Sequence, residues 1–225
     1  MKVFLTGGTG GIGSAIKKYF EESNYEVAAP NRHELNLEDN KAIEEYFKNN
    51  SAEFDVFVHC AGFNSPALIK DIEFSNIEKT AQINYLSFIQ IMRYLLPDMV
   101  KNKNGKVLAV SSLYGSFSRC GRLAYASSKH ALQGTIQTYA CEYAKDGILF
   151  NCVSPGFVMT KMTRKNNTDE VINKMISTIP MGRMAEPEEI AKTVFYLCSP
   201  ENSYITGQNI IIDGGCTAEG GMHSL

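Results

Sequence analysis

Tyr125 and Lys129 stand four residues apart in "LAYASSKHAL" (123–132), a spacing that puts both on one face of a helix. A free phenol, with a pKa of about 10, is a poor base near neutrality. An ammonium about 4 Å away would interact with the phenolate by roughly 4 kcal/mol at an effective dielectric near 20. That would lower the tyrosine pKa by up to roughly three units, less screening and the lysine's own desolvation. The chemistry on offer is proton transfer. Taken alone, the pattern also describes an exposed tyrosine beside an exposed lysine. Its company is "VSSLYG" (110–115), which closes an apolar run with Ser112 at its C-terminal edge. Open α/β sheets bind ligands at that edge. Ser111 faces the other way on an extended chain and is assigned to packing or support.

A second constellation opens the chain. The run "KVFLT" (2–6) leads straight into "TGGTGGIG" (6–13), and a helical pattern follows. Gly7, Gly11 and Gly13 let the backbone turn tightly and approach a pyrophosphate, with Thr6, Thr9 and Ile12 in the same loop. The helix beyond offers its N-terminal amides to phosphate oxygens. Strand, turn and helix are the context that a dinucleotide-binding loop requires. The end of the second run, "APNRHE" (29–34), bears on which nicotinamide cofactor is used. An acid there would bond the adenosine ribose of NAD; a base would pair with the 2′-phosphate of NADP. Asn31 and Arg32 lean the reading to NADP(H), with NAD(H) possible, and Glu34 is the nearest acid. Arg32 as a solvated loop charge is the plain alternative.

These residues need a scaffold. Continuous apolar runs at 2–6, 25–29, 54–60, 106–112, 148–154 and 208–213 read as parallel strands covered on both faces. Helical patterns lie at 11–23, 38–50, 75–102, 122–144 and 186–199, with "SNIE" (75–78) as a capping box led by Ser75. The fold class is α/β, a single-domain Rossmann-type doubly wound parallel sheet in three layers, spanning 1–225. Between the second run and "ELNL" (34–37) a crossover helix has almost no room. The second crossover is therefore shortened, and "ELNL" is a short or irregular edge segment.

The 225 residues, 44% hydrophobic and 20% charged, describe an ordinary soluble domain. A net charge of -2 gives no reason to expect nucleic acid or an anionic membrane as partner. No stretch approaches a membrane span, and the first apolar run is too short for a signal peptide. Six cysteines at irregular spacings form no CxxC pair and read as reduced, buried and cytoplasmic. No metal site is expected. His59 and Cys60 are adjacent, and adjacent residues rarely ligate one ion.

Ser112, Tyr125 and Lys129 resemble the Ser…Tyr-x-x-x-Lys signature of short-chain dehydrogenases/reductases, and the TGxxxGxG loop has that family's spacing. Asn84 in "AQINYLS" matches the family's fourth catalytic residue. "NCVSPGFVMT" (151–160) resembles its proline–glycine turn beside the nicotinamide, and "YITGQNIIIDGG" (204–215) the end of 3-oxoacyl-[acyl-carrier-protein] reductases. The resemblance implies hydride transfer between a nicotinamide and a ketone or secondary alcohol. Tyr125 would be the general acid/base, Ser112 the donor to the substrate oxygen, and Lys129 the group that acidifies Tyr125 and holds the nicotinamide ribose. Asn84 would position a water on the proton path. Cofactor contacts would extend to Cys60, Ala61 and Gly62, to Pro155 and Gly156, and to Val158 and Thr160. The substrate would be a small carbonyl or alcohol, carried or not on acyl carrier protein, and the assembly a homotetramer or dimer. Sugar, polyol or small-alcohol turnover with NAD(H), and a non-catalytic nucleotide sensor, remain open alternatives.

Some residues depart from that pattern. "HCAG" (59–62) replaces the family's NNAG, so a structural hydrogen bond is rearranged. Asn36 stands where relatives carry an adenine-side Asp. Arg119 and Arg122 on one side, and Lys161, Arg164 and Lys165 under the family's mobile substrate loop, either attract an anionic substrate or are solvated charges. "MISTIPMGRM" (175–184) lines the substrate cavity or packs as core.

Overall fold

Each of the six apolar runs becomes a strand: β1 (Lys2–Thr6), β2 (Glu26–Ala28), β3 (Val56–His59), β4 (Gly105–Val110), β5 (Ile148–Pro155) and β6 (Asn209–Ile212). The computed structural model describes residues 1–50 and 53–218. All five strand pairings are parallel, in the order β2-β1-β3-β4-β5-β6. The order reverses direction at β1, which pairs β2 on one side and β3 on the other. That reversal opens a crevice at the strands' C-terminal ends.

Side chains alternate along β1 and so divide the core in two. Val3 and Leu5 pack against α1 (Gly11–Glu22) and α8 (Pro187–Cys198) through Ile16, Phe20, Ile190 and Val194. Phe4 faces the other layer with Phe57, Ile43 and Phe47 of α2 (Asn40–Asn49), all fully or almost fully buried. The same layer holds α4 (Ser87–Asn102) and α5 (Leu123–Tyr143), through Phe88, Ile91, Leu132 and Ile136. Burial on both faces explains why the strands read as unbroken apolar runs.

Four expectations need correction. "ELNL" is irregular, but no strand forms there; Leu35 and Leu37 are buried in the core beneath α2 instead of extending an edge. The expected capping box at 75–78 is absent. Backbone extends at Glu73, α3 begins at Phe74 (Phe74–Ala81), and Ser75 lies inside the first turn. Reciprocal capping occurs instead at α8, where the Glu189 carboxylate accepts the Glu186 N–H at 2.9 Å. The expected loop over 161–165 is helical, as α6 (Lys161–Asn166), and α7 (Asp169–Ile176) follows. Threonines cap both: Thr160 accepts from the Thr163 N–H, and Thr168 from the Val171 N–H. Finally, Cys120 and Cys141 are exposed, not buried.

The helical run from 74 to 102 is not uniform. Gln82–Leu86 form a π-helical turn between α3 and α4, and Asn84 sits in its middle. Such turns widen the helix and displace one side chain from the regular register. Of the methionine-rich segment, Ile179 and Met184 pack with Ile172 as a small core, while Met181 is exposed.

Candidate active site

The glycine loop closes on three neighbours, each of which forbids a side chain. Gly7 has φ +76°, and a Cβ there would lie 2.6 Å from the Ala61 nitrogen. A Cβ on Gly13 would strike the Gly7 carbonyl, and one on Gly11 would come within 2.7 Å of Thr160 Cβ. The loop therefore binds together the ends of β1, β3 and the segment after β5. Gly10, the N-cap of α1, brings no side-chain acceptor, so the first amides of that helix stay available. A cleft of about 330 Å³ runs from this loop past Asn31, Arg32 and Asn36 to Cys60, Ala61 and Gly62. The shape and the bare amides fit the pyrophosphate and adenosine of a dinucleotide.

A second cleft, about 370 Å³, begins at Ser112 and is lined by Leu113, Tyr114, Phe117, Pro155, Gly156 and Phe157, with Arg119, Thr178 and Cys216 also on its wall. Ser112 leaves β4 in extended conformation, and its Oγ accepts the Tyr114 N–H at 3.2 Å. Its hydroxyl proton remains for another acceptor. Ser111 turns inward as expected: its Oγ accepts from Gln133 Nε2 at 3.1 Å and donates weakly to the Lys129 carbonyl.

Tyr125 meets Ser112 and Tyr114 of the second cleft, and Lys129 and Asn84 come up to Gly62 of the first. Lys129 is 3% exposed, and its ammonium donates to the Val110 carbonyl at 2.8 Å, at the end of β4. Around Gly62, Lys129 Nζ and Asn84 Oδ1 converge; a methyl there would lie 3.8 Å from each. Asn84 is fully buried, accepts the Phe63 N–H at 2.7 Å and donates to the Phe63 carbonyl at 2.9 Å. It also donates to Ser128 Oγ at 3.0 Å, and Ser128 in turn donates to the Tyr125 carbonyl at 2.8 Å. Asn84 is thus tied through Ser128 to the Tyr125 backbone, while Lys129 is bonded separately, to Val110.

The electrostatics differ from the expectation. The ammonium of Lys129 lies 5.6 Å from the Tyr125 ring centroid, over its face. Tyr125 as a residue is only partly covered, yet desolvation raises its pKa above the ordinary phenol value. A hydrogen bond with Ser112 and the charge of Arg122 oppose that rise. Arg122 is held over the Tyr114 ring, 5.4 Å from its centroid, and Tyr114 meets Tyr125 edge to face. Burial lowers Lys129 to about 8, so it is still mostly cationic at neutral pH.

The departure at 59–60 has a structural resolution. His59 is wholly buried and pairs through Nδ1 with Thr6 Oγ1 at 2.9 Å, joining β3 to β1. Its Nε2 makes no hydrogen bond of good geometry among the described residues, though the nearby Ile83 and Asn84 backbone favours the protonated ring. Burial, then the charge of Lys129, pushes His59 down to about 3, so the ring is neutral. Among the described residues no three His, Cys, Asp or Glu side chains group to hold a metal.

The cofactor-side residues fall out unevenly. Asn31 is turned onto its own loop: Oδ1 accepts the His33 and Glu34 N–H groups, while its N–H donates to Glu34 at 2.7 Å. Thr160 Oγ1 is taken up in capping α6. Val158 gives its carbonyl to the Thr160 N–H and the Thr163 hydroxyl, so only its N–H could serve a ligand. Ile12 packs against the core as well as the loop. Sequence reasoning missed Glu38, Lys79 and Phe63, which line the first cleft, and Ser128. Ser128 was findable from its place beside Lys129; the other three come together only through the fold.

Residues 10–217 match the family described as enoyl-(acyl carrier protein) reductase. The chain is 35% identical to the 3-oxoacyl-[acyl-carrier-protein] reductase of Thermotoga maritima, over 80% of this chain and 74% of that one. Carbonyl reductase family member 4 of Xenopus laevis is 33% identical, with 93% and 94% covered. Among solved structures, a 4-hydroxyisoleucine dehydrogenase complexed with NADH superposes with a TM-score of 0.91 at 26% identity, covering 97% of this chain and 99% of that one. ElxO with NADP bound gives 0.87 at 26% identity, covering 96% and 98%.

The depressed His59 pKa makes a stability prediction. Its contribution is fully present above the unfolded value of about 6.5 and is lost as pH falls through about 3. Urea midpoints for the wild type and His59→Asn should keep a constant gap above neutrality. Below about pH 6.5 the wild type should lose ground progressively against the variant. Parallel curves down to pH 4 would show that the buried ring does not govern acid stability.

Proposed function

The chain belongs to the short-chain dehydrogenase/reductase family, and from that premise we propose that it is an NADP(H)-dependent reductase acting on a ketone through Tyr125. With adenosine and pyrophosphate in the first cleft, the nicotinamide would lie beside Pro155 and Gly156 at the second and would supply hydride to the carbonyl carbon. The observation that carries the reading is the grouping of Ser112, Tyr125, Lys129 and Asn84: Tyr125 is hydrogen-bonded to Ser112 on the apolar cleft, its carbonyl is tied through Ser128 to Asn84, and Lys129 Nζ and Asn84 converge on Gly62 of the dinucleotide cleft.

Within it, Ser112 would hold the substrate oxygen with its hydroxyl proton, an electrostatic role of the oxyanion-hole kind. Tyr125 would give its proton to the oxygen as negative charge develops. A phenol raised by burial keeps that proton at neutral pH and so has it to give. Lys129 would attract the phenolate once formed and contact the nicotinamide ribose. Asn84 would position a water that resupplies the proton. Thr6, Gly7, Gly11, Gly13, Ala61 and Gly62 would hold the dinucleotide, with Arg32 on the 2′-phosphate. Pro155, Gly156 and the Val158 N–H would flank the nicotinamide.

The second cleft supports an acyl substrate. Leu113, Phe117 and Phe157 offer apolar surface beyond Ser112, and Arg119 offers a cation at the rim. A 3-oxoacyl thioester, carried on acyl carrier protein, suits such a cleft better than a polyol, whose hydroxyls the apolar wall would leave unpaired. We extend the proposal to one domain, 1–225, carrying both sites, and to action in the cytoplasm.

Replacing Tyr125 by Phe removes the proton donor and little else. Turnover of acetoacetyl thioesters with NADPH should fall at least about a thousandfold, while NADPH affinity by fluorescence titration stays within about twofold. Retained turnover would overturn the role of Tyr125. No turnover by the wild type across thioesters, keto-sugars and simple ketones, despite tight NADPH binding, would favour a nucleotide sensor.

A homo-oligomer is also proposed. β6 is the outer strand of the sheet, with Ile211 at 39% and nearby Tyr204 at 95% exposure. Light scattering should report a dimer or tetramer; a monomer at micromolar concentration would contradict it.

A further inference from the structure

The rim of the first cleft carries a three-membered ion cluster. Glu38 Oε1 accepts from Arg32 Nη2 at 2.7 Å and lies 3.0 Å from Lys79 Nζ, so one carboxylate oxygen serves two cations. Arg32 comes from the turn after β2, Lys79 from α3, and Glu38 from the segment before α2. All three side chains line the cleft that the glycine loop opens. Glu38 and Lys79 are the better covered pair, with side chains 28% and 31% exposed, against 71% for Arg32.

The cluster is held in place from below. The Glu38 N–H donates to Asn36 Oδ1 at 3.1 Å. Lys79 Nζ rests 4.8 Å from the Phe63 ring centroid, and the Phe63 backbone is clamped by Asn84. Glu34, the acid nearest Arg32 in sequence, is occupied with the Asn31 N–H. Glu38 is thus the one carboxylate among the described residues lining this cleft, and Arg32 and Lys79 are its two cations.

We infer that Glu38 is a built-in anion that competes with the cofactor's 2′-phosphate for Arg32 and Lys79, and so sets the balance between NADP(H) and NAD(H). The inference rests on the proposed nicotinamide-nucleotide reading of this cleft. A phosphate monoester carries nearly two negative charges at neutral pH and needs both cations. To reach them it must displace the carboxylate, and like charges held together are destabilised. An unphosphorylated ribose leaves the trio intact, and its hydroxyl can donate to the carboxylate. The Lys79 position makes the site two-handed, so Arg32 does not decide the preference alone.

Fragments that lack nicotinamide separate this inference from catalysis. Calorimetry should compare 2′,5′-ADP, which bears the phosphate, with 5′-AMP, which does not. Glu38→Gln removes the competing charge and keeps the side-chain length; it should tighten 2′,5′-ADP about tenfold and leave 5′-AMP equal or weaker. Lys79→Met should weaken 2′,5′-ADP about tenfold with little change for 5′-AMP. An unchanged ratio of the two affinities in folded Glu38→Gln overturns the role of Glu38. A wild type that binds neither fragment overturns the nucleotide reading of the cleft, and this inference with it.

Discussion

A single ammonium, taken out of water and set against one carbonyl, is the constraint around which the site is arranged. Lys129 is buried, and among the described residues its ammonium's one direct hydrogen bond runs to Val110 at the end of β4. Burying a charge is costly unless it is paired, and here the pairing is a neutral carbonyl dipole. The cost shows as a pKa of about 8, well under that of a lysine in water. Its field in turn depresses His59 and opposes the rise of the Cys60 and Cys152 thiols, which burial pushes up to about 12. On the proposed function, that cost is met because a cation is wanted beside a phenol that gives up its proton.

The segment 74–86 joins the chemistry to the nucleotide rim. Lys79 lies on α3 and faces the ion cluster; Asn84, in the π turn, reaches back to the backbone of Phe63. The ring of Phe63 then supports Lys79. The ion cluster at one end and the buried Asn84 at the other therefore share a support. A shift in the π turn would be felt at both.

Much of this was legible in the residues, for definite reasons. Parallel strands covered on both sides leave continuous apolar runs, so all six could be read. The glycines at 7, 11 and 13 each answer a close backbone or side-chain approach, and such positions tolerate little else. What could not be read depends on long-range placement. A π turn differs from an α-helix only in hydrogen-bond spacing, and "QINYL" carries no mark of it. Ser75 and Glu78 have the right spacing for a cap, but the cap forms only where the chain leaves helix, and that is at Glu73. The trio of Arg32, Glu38 and Lys79 is assembled from three elements. The sign of the Tyr125 shift was missed for a related reason: helical spacing gives proximity to Lys129 but not the desolvation of the phenol, which is the largest influence on its pKa.

The central claim is that Lys129 is a desolvated cation within the site and not a solvated surface lysine. Carbon NMR of protein labelled at lysine Cε tests it directly, with the Lys129 signal identified as the one missing from Lys129→Arg. Its titration midpoint should lie near 8 in the cofactor-free protein. A midpoint at or above about 10, the ordinary lysine value, would contradict the account.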